Sequence, residues 1–379
     1  MKILLGHTHT GATFGNEWVN SWIKRLRSGG YDVEPYSLVL SDKRPVVYFD
    51  ELNLMWRHRD KKLLNLYAQL KERLTEFDVF VCFNGANIHP DFVSNLPQTT
   101  VYGCFDDPES SKKLSQPVAH AFDVVMVGNI AELDTYRNWG IRQVHWWPLG
   151  FREDDYDSDL TEEKIFYFER AQNVTLLCER MTNYRIERVD KFASAFPTGA
   201  YYGRGWPAGF LPENMRIPLL QNTRIGINIH NSTGPINFRT FYLPANGVMQ
   251  ICDNKFNLGK IFKLGEEAIG YDSIEEAIDL TRYYLENDDE RKRIAAAGWR
   301  RARSDYNEIS CFKRMVDAVD NFHTYDTKRR SIQNYNFHSR DGLGGVIDKL
   351  SIDIGRIGLI GKTFIKKYHK HPIDDAKQT

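Results

Sequence analysis

A loop of small polar residues followed by an arginine stands where a short helix is predicted to begin. The segment RIGINIH, which starts at Arg224, alternates polar and apolar residues as a β-strand does, and turn-forming residues from Asn231 to Pro235 follow it. The segment RTFYLPANG then begins a short helix at Arg239. A helix N-terminus presents unpaired N–H groups and about half a positive charge, and arginine adds a planar fork that matches phosphate oxygens. Asn231, Ser232 and Arg239 could therefore bind a phosphate, or they could form a surface turn followed by a solvated arginine.

Two histidines and two aspartates follow predicted strands in the first half of the chain and could move a proton. His7 and His9 lie in the loop GHTHTGATFG, where either could act as a general base, contact an acceptor hydroxyl, or face solvent. Asp106 and Asp107 follow another strand, where a carboxylate suits a general base and equally suits a turn cap ahead of Pro108. The histidine loop is not a G-x-G-x-x-G fingerprint, so the sequence does not support a nicotinamide or flavin cofactor.

Basic, aromatic and glycine residues follow the first two strands predicted in the second half. Arg180 and Arg185 come after NVTLLCE, where they could contact a phosphorylated ligand or belong to a solvated face of an amphipathic helix. Gly203 and Trp206 lie in YYGRGW, where the glycine allows a close backbone approach and the tryptophan could stack on a nucleotide base. Packing in the core is the alternative for Trp206.

Two series of alternating strands and helices must position these residues. Nearly all-apolar strands such as KILLG, DVFVCFN and DVVMVGN alternate with amphipathic helices, and a second series from NVTLLCE to EAIGY repeats the alternation. This pattern is typical of parallel sheets covered on both faces, whose ligands bind beyond the carboxyl ends of the strands. We predict an α/β fold with an N-terminal Rossmann-like domain at residues 1–150, a hinge at 151–172, a C-terminal Rossmann-like domain at 173–325 and a tail at 326–379.

The composition makes no strong demand on a partner or a compartment. Fifty basic residues balance fifty acidic ones, so there is no overall attraction to nucleic acid or to an anionic membrane. The five cysteines are scattered and form no C-x-x-C pair, which fits reduced thiols in a cytoplasmic protein. No stretch approaches about 18 apolar residues, so no transmembrane segment is predicted. The tail mixes Ile and Leu with basic residues, so it could pack back as a helix or touch a membrane surface weakly.

Several stretches, taken in order, resemble the spore-maturation-protein-B-like (CgeB-like) glycosyltransferases, which carry a C-terminal domain of the glycosyl transferases group 1 type. They are FDDPESS, ELDTYRNWGIRQVHWWPLG, YYGRGW, NFRTFYLPANG and the helical stretch that begins EEAIGYDSIEE. The resemblance implies a GT-B fold, in which two Rossmann-like domains face each other across a cleft and sugar transfer needs no bound metal. It also implies a nucleoside-diphosphate sugar, with UDP-sugars favoured, on the C-terminal domain and the acceptor on the N-terminal domain.

The resemblance also bears on the alternatives left open by the residues. It favours a phosphate or donor contact for Asn231, Ser232 and Arg239, and it matches Arg185 better than the other arginine of that segment. One position departs from the family motif, which usually carries a glutamate that is expected to hold the ribose hydroxyls where this chain has Tyr242. A tyrosine hydroxyl cannot accept from two hydroxyls as a carboxylate can. Either the ribose is held by other groups, or the donor is unusual, or donor binding is weakened.

We predict a cytoplasmic, metal-independent glycosyltransferase of the hexosyltransferase type, which moves a sugar from its nucleotide to an acceptor hydroxyl. No acidic D-x-D pair ends a strand in the donor half, and the sequence shows no His/Cys cluster. The acceptor could be a glycan, a protein or a modified nucleic acid. One alternative is a catalytically silent relative that binds a saccharide or a nucleotide as a module, which Tyr242 favours. Another is a glycosyltransferase with a polymer acceptor, such as modified DNA or a surface glycan. The sequence does not decide between inversion and retention.

Overall fold

A computed structural model describes residues 1–8, 16–40, 47–84, 87–180 and 183–325, together with residues 350, 352 and 354 of the tail. The chain divides into two compact units. The first contains Met1–Tyr102, Ser110–Asp123 and Thr327–Thr379, and the second contains Gly103–Glu109 and Val124–Asp326. His9 and nearly all of the tail lie outside the described residues, so the expectations for them stay predictions.

Six strands form the first sheet, in the order β2-β1-β3-β4-β5-β6. β1 pairs in parallel with β2 and β3, and β5 pairs in parallel with β6. The strands are β1 Lys2–His7, β2 Asp32–Ser37, β3 Val79–Phe83, β4 Thr99–Cys104, β5 Val124–Val127 and β6 Val144–Trp146. The helices in this part of the chain are α1 Asn16–Ser28, α2 Phe49–Arg57, α3 Lys61–Leu74, α4 Pro90–Val93 and α5 Leu133–Asn138.

Five strands form the second sheet, in the order β11-β10-β9-β7-β8. The pairs β7–β8, β7–β9, β9–β10 and β10–β11 are all parallel. The strands are β7 Gln172–Leu177, β8 Ala200–Tyr202, β9 Thr223–Asn228, β10 Met249–Cys252 and β11 Ile269–Gly270. The helices are α6 Glu162–Tyr167, α7 Asn183–Ala195, α8 Glu213–Asn222, α9 Arg239–Ala245, α10 Lys255–Leu258, α11 Ile274–Glu286, α12 Asp288–Asp305 and α13 Glu308–Tyr325.

The central strands are apolar because both of their faces are covered. Every residue of β3, β5 and β10 is buried, and β1 is buried at all positions except its first. Two parallel sheets flanked by helices confirm the predicted α/β class of two Rossmann-like sheets. In the second sheet the strand order reverses at β7, whose neighbours are β8 and β9. Ligands of open α/β sheets bind at such a switch point, beyond the carboxyl ends of the strands.

Helix ends in the second unit follow the sequence signals. Ser273 caps α11 by accepting a hydrogen bond from the backbone N–H of Glu276 at 3.1 Å, and the Glu276 carboxylate accepts one from the N–H of Asp272 at 2.6 Å. The first bond is that of an N-cap, and the second holds the residue just before the cap. The last described long helix, α13, packs against β5 and β6, where the rings of Trp147 and Phe312 are 6.4 Å apart.

Two further observations, on membrane-spanning helices and on cysteines, hold for the described residues. No helix in this part of the chain is long and apolar enough to cross a membrane. All five cysteines are buried as free thiols. The domain boundaries expected at residues 150 and 172 stay predictions.

Candidate functional site

Arg239 joins the ends of β7 and β9 at the switch point of the second sheet. Its Nη1 donates to the carbonyl oxygen of Leu177 at 2.7 Å, and its Nε donates to Oδ1 of Asn228 at 3.1 Å. A third, longer bond runs from Nη2 to the carbonyl oxygen of Ile229 at 3.4 Å. A guanidinium carries five N–H groups, so these contacts fix its position while leaving N–H groups to donate to a ligand. The side chain is half-buried, which leaves it within reach of solvent.

Arg185, on α7, is a second arginine at the same point, and it is buried. Its Nη1 donates to the carbonyl oxygen of Glu179 at 3.2 Å, and its Nε is buried with no hydrogen-bond partner among the described residues. Burial lowers the pKa of Arg185, the Cys178 side chain opposes that shift, and the positive charge of Arg239 lowers the pKa further. Two guanidinium groups that are partly shielded from water repel each other, and a bound anion stabilises them by neutralising their charges. This pair is therefore suited to binding phosphate.

A buried histidine–aspartate pair, which the sequence analysis did not identify, lies beside the arginines. His230 follows β9 and Asp253 follows β10; Nδ1 of His230 is 2.6 Å from Oδ1 of Asp253, whose Oδ2 accepts from the His230 backbone N–H at 2.8 Å. Burial lowers the pKa of His230, the Asp253 carboxylate opposes this, and Arg239 and Arg185 lower it as well. Burial alone would raise the pKa of Asp253, but its bonds with His230 and the nearby Arg188 bring it below its usual value. The pair links the carboxyl ends of two adjacent strands.

The same pair forms, with Cys252, the one group of three possible metal ligands found among the described residues. The ligand atoms of His230, Cys252 and Asp253 all lie within 4.8 Å of one another. Burial raises the pKa of the Cys252 thiol well above its usual value, and the Asp253 charge raises it further. A metal would need the thiolate and would have to displace the short His230–Asp253 bond. The geometry therefore fits a hydrogen-bonded pair beside a neutral thiol better than a cation site.

A buried network of amides extends from this pair to the start of α9. Nδ2 of Asn237 donates to Oδ1 of Asn228 at 2.9 Å, and Oδ1 of Asn237 accepts from the backbone N–H of Thr240 at 3.1 Å. The Asn228 amide also donates to Gln250 at 3.3 Å, and Thr240 is 3.3 Å from Nε2 of His230. Buried polar networks of this kind fix one conformation when their groups are paired. Here the network fixes the position of Arg239 at the start of α9.

The predicted phosphate loop is held by protein groups. The Asn231 side chain is exposed, and Oγ of Ser232 lies 3.1 Å from Nδ2 of Asn129 and 3.4 Å from the carbonyl oxygen of Asp107. Asn129 and Asp107 follow β5 and β4 within the second unit. The structure therefore places Asn231 and Ser232 on the loop before Arg239, as predicted, but with Ser232 engaged by residues 107 and 129.

The β8 end comes close to the β7 end because residue 203 is glycine. Gly203 has a φ of +136°, and a Cβ there would lie 2.4 Å from the carbonyl oxygen of Cys178. Trp206 is buried, donates from Nε1 to that same carbonyl at 2.8 Å and stacks on Tyr201 with ring centroids 5.0 Å apart. The Trp206 ring therefore packs in the core of the second sheet. Arg180, on the more exposed side of the same segment, donates from Nε and Nη2 to the two carboxylate oxygens of Asp190, at 2.5 and 2.7 Å.

Tyr242 lies on α9 and is only 8% exposed. Burial raises the pKa of Tyr242 to about 12, while the positive charges of Arg239 and Arg216 oppose the shift and Asp155 adds to it. Asp155 is itself held by Arg152 at 2.7 Å and by Arg216 at 2.6 Å. A carboxylate at position 242 would therefore meet two positive charges and one negative charge.

The residues predicted to act on the acceptor occupy different environments. His7 ends β1 in the first unit and is 4% exposed. In the second unit, the Asp106 side chain is exposed, whereas Asp107 is buried and its carboxylate accepts a short hydrogen bond from the Tyr136 hydroxyl. Of the two aspartates, Asp106 is therefore the one that solvent reaches.

The comparisons with known proteins agree with this geometry. Residues 179–332 match the family model described as glycosyl transferase-like. No curated protein matches the chain by sequence. The chain is similar to the structure of HepE from Anabaena in complex with UDP, with 14% identity, a TM-score of 0.56 and coverage of 85% of this chain and 100% of that one.

Two further solved structures have the same fold. The sucrose-phosphate synthase of Thermosynechococcus elongatus has 10% identity and a TM-score of 0.58, and the alignment covers 86% of this chain and 100% of that one. An α-glucosyltransferase in complex with UDP and a 13-mer DNA containing an HMU base has 10% identity and a TM-score of 0.54, with coverage of 84% and 99%. The fold is therefore GT-B, as predicted, and the match of residues 179–332 supports a transferase. The CgeB-like subfamily is a finer prediction that these matches do not reach.

Proposed function

We propose that this chain is a glycosyltransferase that takes a sugar from a nucleoside diphosphate, with UDP-sugars favoured, and transfers it to an acceptor hydroxyl. The observation that carries the proposal is the pair Arg185 and Arg239 at the switch point of a GT-B second sheet. Solved neighbours of the same fold were crystallised with UDP and with UDP-glucose. The family model that matches this half of the chain points to the same chemistry.

In the proposed reaction, the bond between the anomeric carbon and the diphosphate oxygen breaks while the acceptor oxygen bonds to that carbon. The leaving diphosphate gains negative charge in the transition state, and preorganised positive groups stabilise it there. Arg239 is held on Leu177 and Asn228, so it needs little rearrangement to do this. Arg185 adds a second buried positive charge beside it. These contacts need no metal ion, so we propose that donor binding is metal-independent.

Roles on the acceptor side follow from exposure. A general base must reach both the acceptor hydroxyl and a route for its proton. Asp106 is exposed on the turn after β4, so it is our first candidate for this role, followed by His7 and His9. The proposal specifies the acceptor only as a hydroxyl group, which a glycan, a protein or a modified nucleic acid could carry. One neighbour of this fold was solved with a DNA oligomer, which keeps modified nucleic acid among the three.

Tyr242 favours one other function, that of a nucleotide- or saccharide-binding module without turnover. Its hydroxyl is buried and protonated, with a pKa of about 12, so it cannot take the place of a carboxylate between two ribose hydroxyls. The two functions differ in turnover and not in binding. Hydrolysis or transfer from a bound nucleotide sugar separates them.

The test is calorimetric titration with UDP, GDP and ADP, followed by release of free sugar from the matching nucleotide sugars. Arg185→Ala should weaken nucleotide binding about tenfold or more, because it removes a charged donor from the diphosphate site. Arg180→Ala is the matched control, since Arg180 belongs to the same segment but pairs outward with Asp190. If the parent protein binds none of these nucleotides, the proposal is refuted. If it binds one but releases no sugar, the binding module is the function that remains.

A further inference from the structure

The loop before Arg239 is attached to a segment more than 100 residues earlier in the chain, and this attachment has no role in the function proposed above. Nδ2 of Asn129 lies 3.1 Å from Oγ of Ser232 and 3.0 Å from Oγ1 of Thr233. The same nitrogen donates to the carbonyl oxygen of Asp107 at 3.1 Å. Asn129 is completely buried, so its amide meets these oxygens and not water. All four residues belong to the second unit.

The neighbouring contacts make this attachment specific. Oγ1 of Thr233 donates to Oε1 of Glu132 at 2.7 Å, and Oε2 of Glu132 accepts from Thr135 at 2.9 Å. Gly234 comes so close that a Cβ there would lie 2.2 Å from Oδ1 of Asn129. That Oδ1 already accepts from the backbone N–H of Ala131 at 3.1 Å, which fixes the orientation of the amide. The amide nitrogen therefore points at the hydroxyls of Ser232 and Thr233, while Oδ1 lies beside Gly234.

The loop is thus fixed at two points, one at Ser232 and Thr233 and the other at Asn237, two residues before Arg239. Its tip, Ser232 to Gly234, is held by Asn129, and its end at Asn237 is held by Asn228. Arg239 begins α9 directly after the second point. Losing the first point frees the tip without touching either arginine of the site.

We propose that Asn129 is a positioning residue of the donor site, which holds the loop of residues 231–238 in the conformation that binds the diphosphate. The inference rests on the proposed function and adds to it a residue outside the second sheet. When a site binds its ligand in only one loop conformation, the apparent affinity equals the intrinsic affinity multiplied by the fraction of molecules in that conformation. Loss of about one or two hydrogen bonds lowers that fraction enough to weaken binding roughly fivefold to thirtyfold.

The experiment uses the full chain with Asn129→Ala and Thr233→Val, singly and together, and measures UDP affinity by calorimetry. Each single variant should weaken UDP binding, and the double variant should lose less than the product of the two single losses, because both remove the same attachment. Hydrogen exchange of the amides in residues 231–238 should accelerate in each variant. Thr75→Val is the matched control, since it removes one threonine hydroxyl bond, to the carbonyl oxygen of Glu72 in the first unit, and it should leave UDP affinity unchanged.

The outcomes separate the two proposals. If the parent protein binds UDP and both single variants bind it equally well, the positioning role is overturned and the proposed function stands. If the parent binds no nucleotide, the function fails and the positioning role fails with it. Thr233→Val preserves side-chain shape, so it keeps the test decisive should Asn129→Ala fail to fold. Losses that multiply in the double variant, as for two independent sites, would also overturn the positioning role.

Discussion

Replacing Arg239 should damage both the fold and the donor site, and the structure allows the two effects to be separated. Its guanidinium donates to the Leu177 carbonyl at 2.7 Å and to Asn228 at 3.1 Å, and hydrogen bonds from charged groups contribute about 1.5–3 kcal/mol each. In Arg239→Ala the Leu177 carbonyl loses its partner at the end of β7. We therefore expect the free energy of unfolding to fall by roughly 2 kcal/mol.

The same substitution removes a charged donor from the proposed diphosphate site. A loss of about 1.5–3 kcal/mol in binding corresponds to roughly 10- to 150-fold weaker UDP affinity. Arg239→Lys keeps the charge but puts its donors on a single nitrogen, so it should recover most of the stability and only part of the affinity. One ammonium cannot span Leu177, Asn228 and a phosphate together. The assays are urea unfolding and calorimetric titration of each folded variant. A folded Arg239→Ala protein that binds UDP as tightly as the parent would refute the assignment of this site.

Four other predictions concern separate features. Tyr242→Glu should tighten UDP binding by about 1–2 kcal/mol, because the carboxylate can accept from both ribose hydroxyls and Arg216 lies nearby; Tyr242→Gln, which lacks the charge, should not, and equal titration curves for the two would contradict the idea. Burial lowers the pKa of His89, the N-cap of α4, to about 4, so the folded state resists protonation and stability falls as the pH drops below about 6.5. Urea unfolding should show about 2 kcal/mol less stability at pH 5 than at pH 7.5, and His89→Gln should remove that part of the pH dependence. Gly203→Ala should destabilise the protein by roughly 2 kcal/mol or more because its Cβ would strike the Cys178 carbonyl, whereas Gly209→Ala, also at positive φ but with open space around it, should cost clearly less in thermal melts. Donor binding and turnover should survive a chelator; activity that is lost with EDTA and restored by manganese or magnesium would contradict the metal-independent proposal.

The central strands of this protein could be predicted because apolar residues fill nearly their whole length. β3 and β5 are buried at every position, so their sequences contain almost no polar residue. The start of α9 at Arg239 also follows from local signals, since turn-forming residues precede it. By contrast, α2 at Phe49–Arg57 was not predicted. It has only nine residues, of which two are buried, so its apolar residues at helical spacing form too short a pattern to stand out.

The site was harder to predict than the fold. Arg185 and Arg239 stand out as basic residues after strands, so the sequence could identify them as candidates. His230 and Asp253 pair across 23 positions, and Asn129 meets Ser232 across 103, so no local pattern connects them. The one hint for the His230 pair was that Asp253 directly follows β10 and His230 comes two residues after β9. Which polar residues meet at a sheet edge depends on strand order, which composition and periodicity do not determine.

The packing of α13 on β5 and β6 has a consequence for synthesis on the ribosome. These strands are complete by Trp146, but the helix that packs on them begins only at Glu308. About 160 further residues are therefore translated before Phe312 can pack against Trp147. At roughly 5–20 residues per second this interval lasts about 8–30 s. During that time the surface of β5 and β6 that α13 covers in the finished protein stays open, so a chaperone that binds apolar strands could bind there. A premature stop codon before Glu308 would therefore harm the part of the protein that is made first.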